Sequence, residues 1–539
     1  MKKLILLLMF AVSGIMAENG YQFISPRPGS ENNTRESTII IRQGEDINSS
    51  TLDQDRVIVK GSQSGLIPGE LILSTDNKTI IFKPFKKFEP DETVQVNIKT
   101  GIETTSGNGL PSMEFSFHVT PLQVQPNPYK QIPELKEFYL SENRLQKTAN
   151  DTIPDNFPEM EISVYDSSAI GEGYIYMAVA SEVEGVGYYL MILRNDGTPL
   201  FARELEDDYA YDFKVQPNGL MTYAHFFEHH SYTGGGNVVH KIMDNSFTVI
   251  DSVQMGNGYV AEAHDFQILP NGHYLLFGYY LTPVDMSKLI DGGYPNALVS
   301  GGVVQELDQD KNVVFQWRSW DYYDFEEYPF GGRRDKRPVV SAFHLNTINL
   351  DWDNNIFLGT PVWTKKINRQ TGEIMWHLGG YENEFSFVGV DSIAGTGYVA
   401  GHMFHRIKNG NVLVHDNASR RDKSSTSRVH EFSLDEEEKV ATHIWSYEPD
   451  SAIWGWHRGS VQRLDNGNTV IGWGGSSGQP SPAFTEVNQN GEKVYELSFV
   501  PPDIESYRAF RFPFPDGKPA GSVFLTEVGQ GQNHRICGG

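Results

Sequence analysis

Apolar and polar residues alternate over short stretches of this chain, and turn residues break each stretch after a few positions. That period predicts strands, not helices. Thr38-Ile-Ile-Ile-Arg, Thr79-Ile-Ile-Phe-Lys-Pro and Thr93-Val-Gln-Val-Asn-Ile are separated by Gly, Asn, Asp and Pro turns. About a hundred residues of this kind, 18–120, suit a small β-sandwich. The stretch 121–169, with Pro121, Pro126, Pro128, Pro133, Pro154 and Pro158, reads as a Pro-rich linker.

From residue 170 a longer period takes over. Turns recur at Asn218-Gly219, Asn271-Gly272, Asp353-Asn354, Asn409-Gly410 and Asn466-Gly467, at steps of 53, 82, 56 and 57 residues. Such steps match the four-strand unit of a propeller blade, with an insertion between about 281 and 340. A second hairpin signal follows at Leu193-Arg-Asn-Asp-Gly, Ile242-Met-Asp-Asn, Leu307-Asp-Gln-Asp, Ile367-Asn-Arg-Gln-Thr-Gly, Leu434-Asp-Glu-Glu and Val487-Asn-Gln-Asn-Gly. These six signals predict six blades. The first, opening near Gly173, lacks the Asn-Gly turn, and Tyr507-Arg-Ala-Phe-Arg-Phe is expected to close it, because an unpaired edge must be covered. The expected fold is all-β: a β-sandwich at 18–120, a six-bladed β-propeller at 170–515 and a tail at 516–539.

Composition narrows the partners. The formal charge of −25 argues against nucleic acid or an anionic membrane. Residues 1–17 read as a signal peptide, with Lys2 and Lys3 before the apolar Leu4–Val12 run and Ala17 before the cut. The apolar run is too short for a stable membrane span, so the expected place is periplasmic or extracellular. Cys537 is the only cysteine, which excludes an internal disulfide framework.

Histidines head the same repeat position. His264 and His402 lie seven residues before their turns; His344 and His457 lie nine before theirs, with Asn346 at seven. Seven and nine share parity, hence one face of a strand, and equivalent points of a closed repeat can converge in space. His402-x-x-His405 and His225-x-x-x-His229 have zinc-like spacings, but those spacings share a ridge only on a helix, so no metal site is expected. Trp454 and Trp456 flank His457 at the expected mouth and could stack on an aromatic ligand.

Two resemblances follow. Through Ser25-Pro-Arg-Pro-Gly-Ser, Gly61-Ser-Gln-Ser-Gly and Phe115-Ser-Phe, the first region resembles bacterial Ig-like accessory domains. Residues 170–515 resemble the arylsulfotransferases, exported six-bladed enzymes that move a sulfuryl group between phenols without a nucleotide donor. The matching stretches are His264-Asp-Phe-Gln-Ile-Leu-Pro-Asn-Gly, Phe315-Gln-Trp-Arg-Ser-Trp-Asp, His344-x-Asn-Thr-Ile, Asn368-Arg-Gln-Thr-Gly-Glu-Ile-Met-Trp-His-Leu-Gly-Gly, His402 with its turn, Asp416-Asn417 and Ser427-Arg428. The resemblance implies an aryl sulfate donor, a phenolic acceptor and no cofactor. It makes His402 the nucleophile, with His264 and His344 binding sulfuryl oxygens or handling the phenol proton and Asn346 as a further donor.

The chemistry suits these residues independently, since a neutral imidazole is a competent nucleophile near pH 7 and a second can shuttle a proton. One position departs: Gly359 falls where the family usually has an arginine. Arg428, Arg458, Arg406 or Lys365 are the candidate substitutes, with Arg428 first and Arg458 second; His457 and Trp456 complete the expected substrate-binding set. Two alternatives stay open. One is a degenerate propeller binding a sulfated, phenolic or polysaccharide ligand. The other is an exported metal-dependent lyase or hydrolase.

Overall fold

The computed structural model describes residues 20–122, 153–181, 183–205, 210–230, 235–390, 401–417, 426–455, 457–475, 481–500, 503–514 and 523–526. The expected signal peptide lies outside them, as do most of the expected linker (123–152), Trp456, and most of the expected tail. The described residues form strands joined by turns, loops and short 3-10 turns, with no α-helix among them.

Two four-stranded sheets form the N-terminal sandwich. One runs in the order Phe23–Ser25, Ile39–Arg42, Thr79–Pro84, Gly69–Leu73; the other Gly65–Ile67, Val57–Gly61, Thr93–Ile98, Met113–His118. Along Thr93–Ile98 every second side chain (Val94, Val96, Ile98) is buried between the sheets, as the period of two requires. Ile39, Ile40 and Ile41 are all buried because both faces of that strand are covered. Ile39 and Ile41 face the sandwich core, whereas Ile40 and Phe23 pack on Val304, Val313 and Phe315 of the C-terminal region. Arg318 fastens the same contact: its guanidinium donates to Asn33 Oδ1 (2.7 Å) and to the carbonyl of Glu31 (2.6 Å), while Asp321 balances its charge at 2.7 Å.

Six antiparallel four-stranded units follow. The second to sixth open with Ala210–Val215, Val260–Ile268, Thr347–Leu350, Gly401–Arg406 and Ser460–Arg463, and each of these strands pairs with the strand after it. The recurrent Asn-Gly or Asp-Asn turns make those first connections, and the six hairpin signals join third strand to fourth. In the first unit the equivalent strand is Ile504–Phe512, which pairs antiparallel with Tyr174–Ser181. The missing first turn thus has a topological cause: the chain's C-terminal part supplies the strand. Reciprocally, Met160–Tyr165, from the end of the expected linker, pairs with Lys493–Phe499 of the sixth unit, and Val523–Thr526 adds to the first.

These six leading strands touch in sequence, and Ser460–Arg463 touches Ile504–Phe512, so the ring of contacts closes. One buried apolar cluster lies between each pair of neighbouring units. Strand Tyr188–Leu193 shows how: Leu190 and Ile192 pack toward the second unit, and Tyr189, Met191 and Leu193 toward the sixth. Each unit therefore needs both neighbours to bury its two faces.

Four leading strands are irregular near one end. The ladder shifts between Tyr211 and Lys214, between Ala261 and Phe266, between Gly401 and Met403, and opposite Tyr507–Arg508. Bulges turn successive side chains toward one side, which strict alternation forbids.

Candidate active site

Those irregularities carry the candidate chemistry. The rings of His264 and His344 meet edge to face with centroids 4.9 Å apart, and the His264 and His402 rings lie 5.7 Å apart. Two strands and the segment preceding Thr347–Leu350, far apart in sequence, thus bring three imidazoles together. Tyr507 forms a wall, 5.9 Å from His264 and 5.6 Å from His402, stacked on Tyr211 at 4.2 Å. Its hydroxyl donates to the carbonyl of His264 (2.8 Å), so it holds the bulged backbone.

His402 and His264 have different polar neighbours. His402 Nδ1 lies 3.2 Å from the carbonyl oxygen of Gly459. A carbonyl can only accept, so Nδ1 carries the proton and Nε2 keeps its lone pair. Burial, and after it the charge of Arg508, holds His402 well below the usual imidazole range, which leaves it neutral. His264 Nδ1 instead meets the carboxylate of Glu262 at 2.7 Å, and both groups are buried. Burial pushes the Glu262 carboxyl up, but the His264 charge and hydrogen bonds outweigh it, and the group ends below its ordinary value.

Beneath the histidines lies a buried quartet of two cations and two anions. Lys214 Nζ is 2.6 Å from both Asp212 and Asp265; Arg508 is 2.9 Å from Asp212 and 3.5 Å from Asp265. Arg508 also donates to the carbonyl of Asn346 at 2.8 Å. Asp265 further accepts from the Thr347 hydroxyl and the Ile348 amide, and its carboxyl is pushed down to about 2: burial raises it, but Lys214 and Arg508 prevail.

The expected site residues divide. His264, His344 and His402 come together. Asn346 lies beside them, but its amide donates to the carbonyl of Gly401 (2.9 Å), so it fixes the peptide preceding His402. His457 lies 3.7 Å from Glu505, and burial, then Arg458 and His264, drive its pKa down to about 2. Arg458 pairs with Glu505 at 2.6 Å and donates to the Tyr211 hydroxyl at 2.7 Å. Arg428 faces Glu448 at 3.3 Å, Arg406 is tied to Asp351 and Glu436, and Lys365 to Glu382. The cation that acts most strongly on His402 is therefore Arg508. Its signal was present in the sequence, since Tyr507-Arg508 sits in the segment read as the closing strand. Asn417 donates to the carbonyl of Arg458 (2.7 Å), and the Ser427 hydroxyl donates to the carbonyl of Asn417 (2.9 Å), so both pin the loop that carries Arg458. Among the described residues no group of three metal-ligating side chains is placed to hold an ion.

Gly359 pairs with Thr347, and a Cβ built on it would lie 2.5 Å from Thr347 Cγ2. A larger side chain there has no room without movement of Thr347.

A family model described as Arylsulfotransferase (ASST) matches residues 203–508, and one described as Bacterial Ig-like domain matches 21–119. No curated protein matches the chain. Solved structures similar to it include a functionally unknown protein from Desulfotomaculum acetoxidans DSM 771, at 10% identity over 63% of this chain and 91% of that one with a TM-score of 0.31. Another is an auxiliary nutrient binding protein from Bacteroides ovatus ATCC 8483, at 13% identity over 89% and 97% with a TM-score of 0.30.

Proposed function

The chain belongs to the arylsulfotransferase family, and from that premise we propose that it moves a sulfuryl group from a phenolic sulfate ester to a phenolic acceptor through a sulfated His402. The observation that carries this reading is the tautomer of His402, a buried neutral imidazole with its Nε2 lone pair free, beside two further imidazoles.

In the first half-reaction Nε2 of His402 attacks sulfur, the S–N bond forms, and the S–O bond to the donor's aryl oxygen breaks. The phenol leaves with a proton supplied by the site. In the second half, the acceptor's oxygen attacks sulfur, its proton returns to the site, and the S–N bond breaks. Two half-reactions through one covalent intermediate give ping-pong kinetics. His264 and His344 bind the anionic sulfuryl oxygens or handle the phenol proton, and Arg508 is the cation nearest in effect to His402. We read the six units as blades of a propeller with this site at the mouth of its channel, and residues 1–17 as the signal that exports the protein.

One observation favours a second reading. Gly359 stands where the resemblance places the family arginine, Thr347 fills the space beside it, and Arg508 is already paired with Asp212. A site with that lesser charge could bind a sulfated or phenolic ligand without turning it over. Incubation with 4-nitrophenyl sulfate and phenol separates the two. Sustained release of nitrophenolate that depends on phenol supports transfer, whereas ligand binding without release supports the binder.

A further inference from the structure

We infer that Glu262 is a positioning residue that makes His264 the proton carrier of both half-reactions. This rests on the proposed transfer through His402 and adds to it the residue that orients the proton carrier.

The geometry is specific. Glu262 and His264 are two residues apart on Val260–Ile268, and in a regular strand their side chains would point the same way with about 7 Å between the Cα atoms. The bulge between Ala261 and Phe266 folds them together. The two carboxylate oxygens lie 2.8 and 2.7 Å from Nδ1, and Oε2 also accepts the backbone N–H of His264 at 2.8 Å. Nδ1 must donate to such a partner, which leaves Nε2 as the ring nitrogen available for proton exchange. The neighbouring unit makes room for the pair. A Cβ built on Gly235 would fall 1.8 Å from Glu262 Oε1 and 3.1 Å from His264 Cε1.

A carboxylate on Nδ1 fixes the orientation and tautomer of His264, so that Nε2 is the nitrogen that exchanges a proton. In the donor half, Nε2–H of the imidazolium goes to the departing phenolate oxygen as the S–O bond breaks, leaving a neutral ring. In the acceptor half that neutral Nε2 takes the phenol's proton as the new S–O bond forms and the S–N bond breaks. The proton balance closes over one turnover. His402 cannot fill this role because its Nδ1 faces an uncharged carbonyl.

Leaving-group dependence is the test. Phenolate, with a conjugate acid pKa of ~10 like tyrosine, needs a proton as it departs, whereas 4-nitrophenolate is a stable anion. Glu262→Gln keeps an acceptor for Nδ1 but removes the charge. In single-turnover experiments it should slow the donor half with phenyl sulfate roughly tenfold to hundredfold more than with 4-nitrophenyl sulfate. In a His264→Asn background the same substitution should cost nothing further, since a group acting through another shows full coupling. Gly235→Ala, which displaces the carboxylate without touching its charge, should give the same donor-selective loss. Equal losses on both donors, or an undiminished loss in the His264→Asn background, would overturn the assignment while leaving transfer through His402 intact. Absence of a nitrophenolate burst from the unsubstituted protein would overturn both.

Discussion

His402 Nδ1 donates to the carbonyl of Gly459 across the boundary between the fifth and sixth units, at 3.2 Å. Gly459 has a positive φ of 105°, and a Cβ there would lie 2.4 Å from Cε1 of His415. Glycine is thus required twice, for backbone conformation and for the close approach of a buried ring. The bond couples the tautomer of His402 to the loop that also carries His457 and Arg458.

Gly459→Ala should therefore destabilise the fold by about 1–3 kcal/mol, from backbone strain and overpacking. It should also slow formation of the covalent intermediate. Denaturant unfolding read beside burst kinetics checks both; unchanged values for the two would refute the coupling.

Arg508→Met removes one cation from a quartet whose anions are buried. Asp212 and Asp265 would then share Lys214 alone, a loss of about 3–5 kcal/mol for breaking a buried pair from one side. The expected readout is a large fall in denaturation midpoint, partly restored by adding Asp212→Asn.

Acid should destabilise the protein before its carboxylates titrate. Burial lowers His415 from 6.5 to about 4, with Asp416 opposing and Arg508 reinforcing. Its folded pKa lies below the unfolded one, so the unfolded chain binds the extra proton. This group's contribution is complete above about pH 6.5 and is lost as pH falls toward 4, to a total of roughly 3 kcal/mol. His415→Leu should flatten that part of the stability profile. A slope unchanged by the substitution would assign the effect elsewhere.

Gly359→Arg should not restore the family arginine by itself, because Thr347 occupies the adjoining space. The single variant should lose about 1–3 kcal/mol of stability with no gain in turnover. Thr347→Ser beside it should recover part of the stability.

The sequence was most legible where physics is local. Turn chemistry at Asn218-Gly219 and its equivalents marks the first connection of five units, and the six hairpin signals mark the third-to-fourth connection of all six. Tyr507 to Phe512 was read as a closing strand because an open edge demands one, and it pairs with Tyr174–Ser181. The histidines His264, His344 and His402 head related repeat positions, and their rings lie near one another. Glu262, Asp212 and Arg508 were harder to see. Their side chains reach the site through bulges at Ala261–Phe266 and Tyr211–Lys214 and opposite Ala178, where the period of two fails. A residue's place in a repeat does not reveal its ion-pair partner, which for Arg428 is Glu448.

The most direct test of the central claim is peptide mass mapping of protein mixed with 4-nitrophenyl sulfate in the absence of acceptor. The account predicts one sulfated peptide, carrying the group on His402, formed in step with a stoichiometric nitrophenolate burst. Both should be absent in His402→Asn and discharged by added phenol. A stoichiometric burst from His402→Asn, or a sulfated peptide containing His344 or His264 in its place, would contradict it.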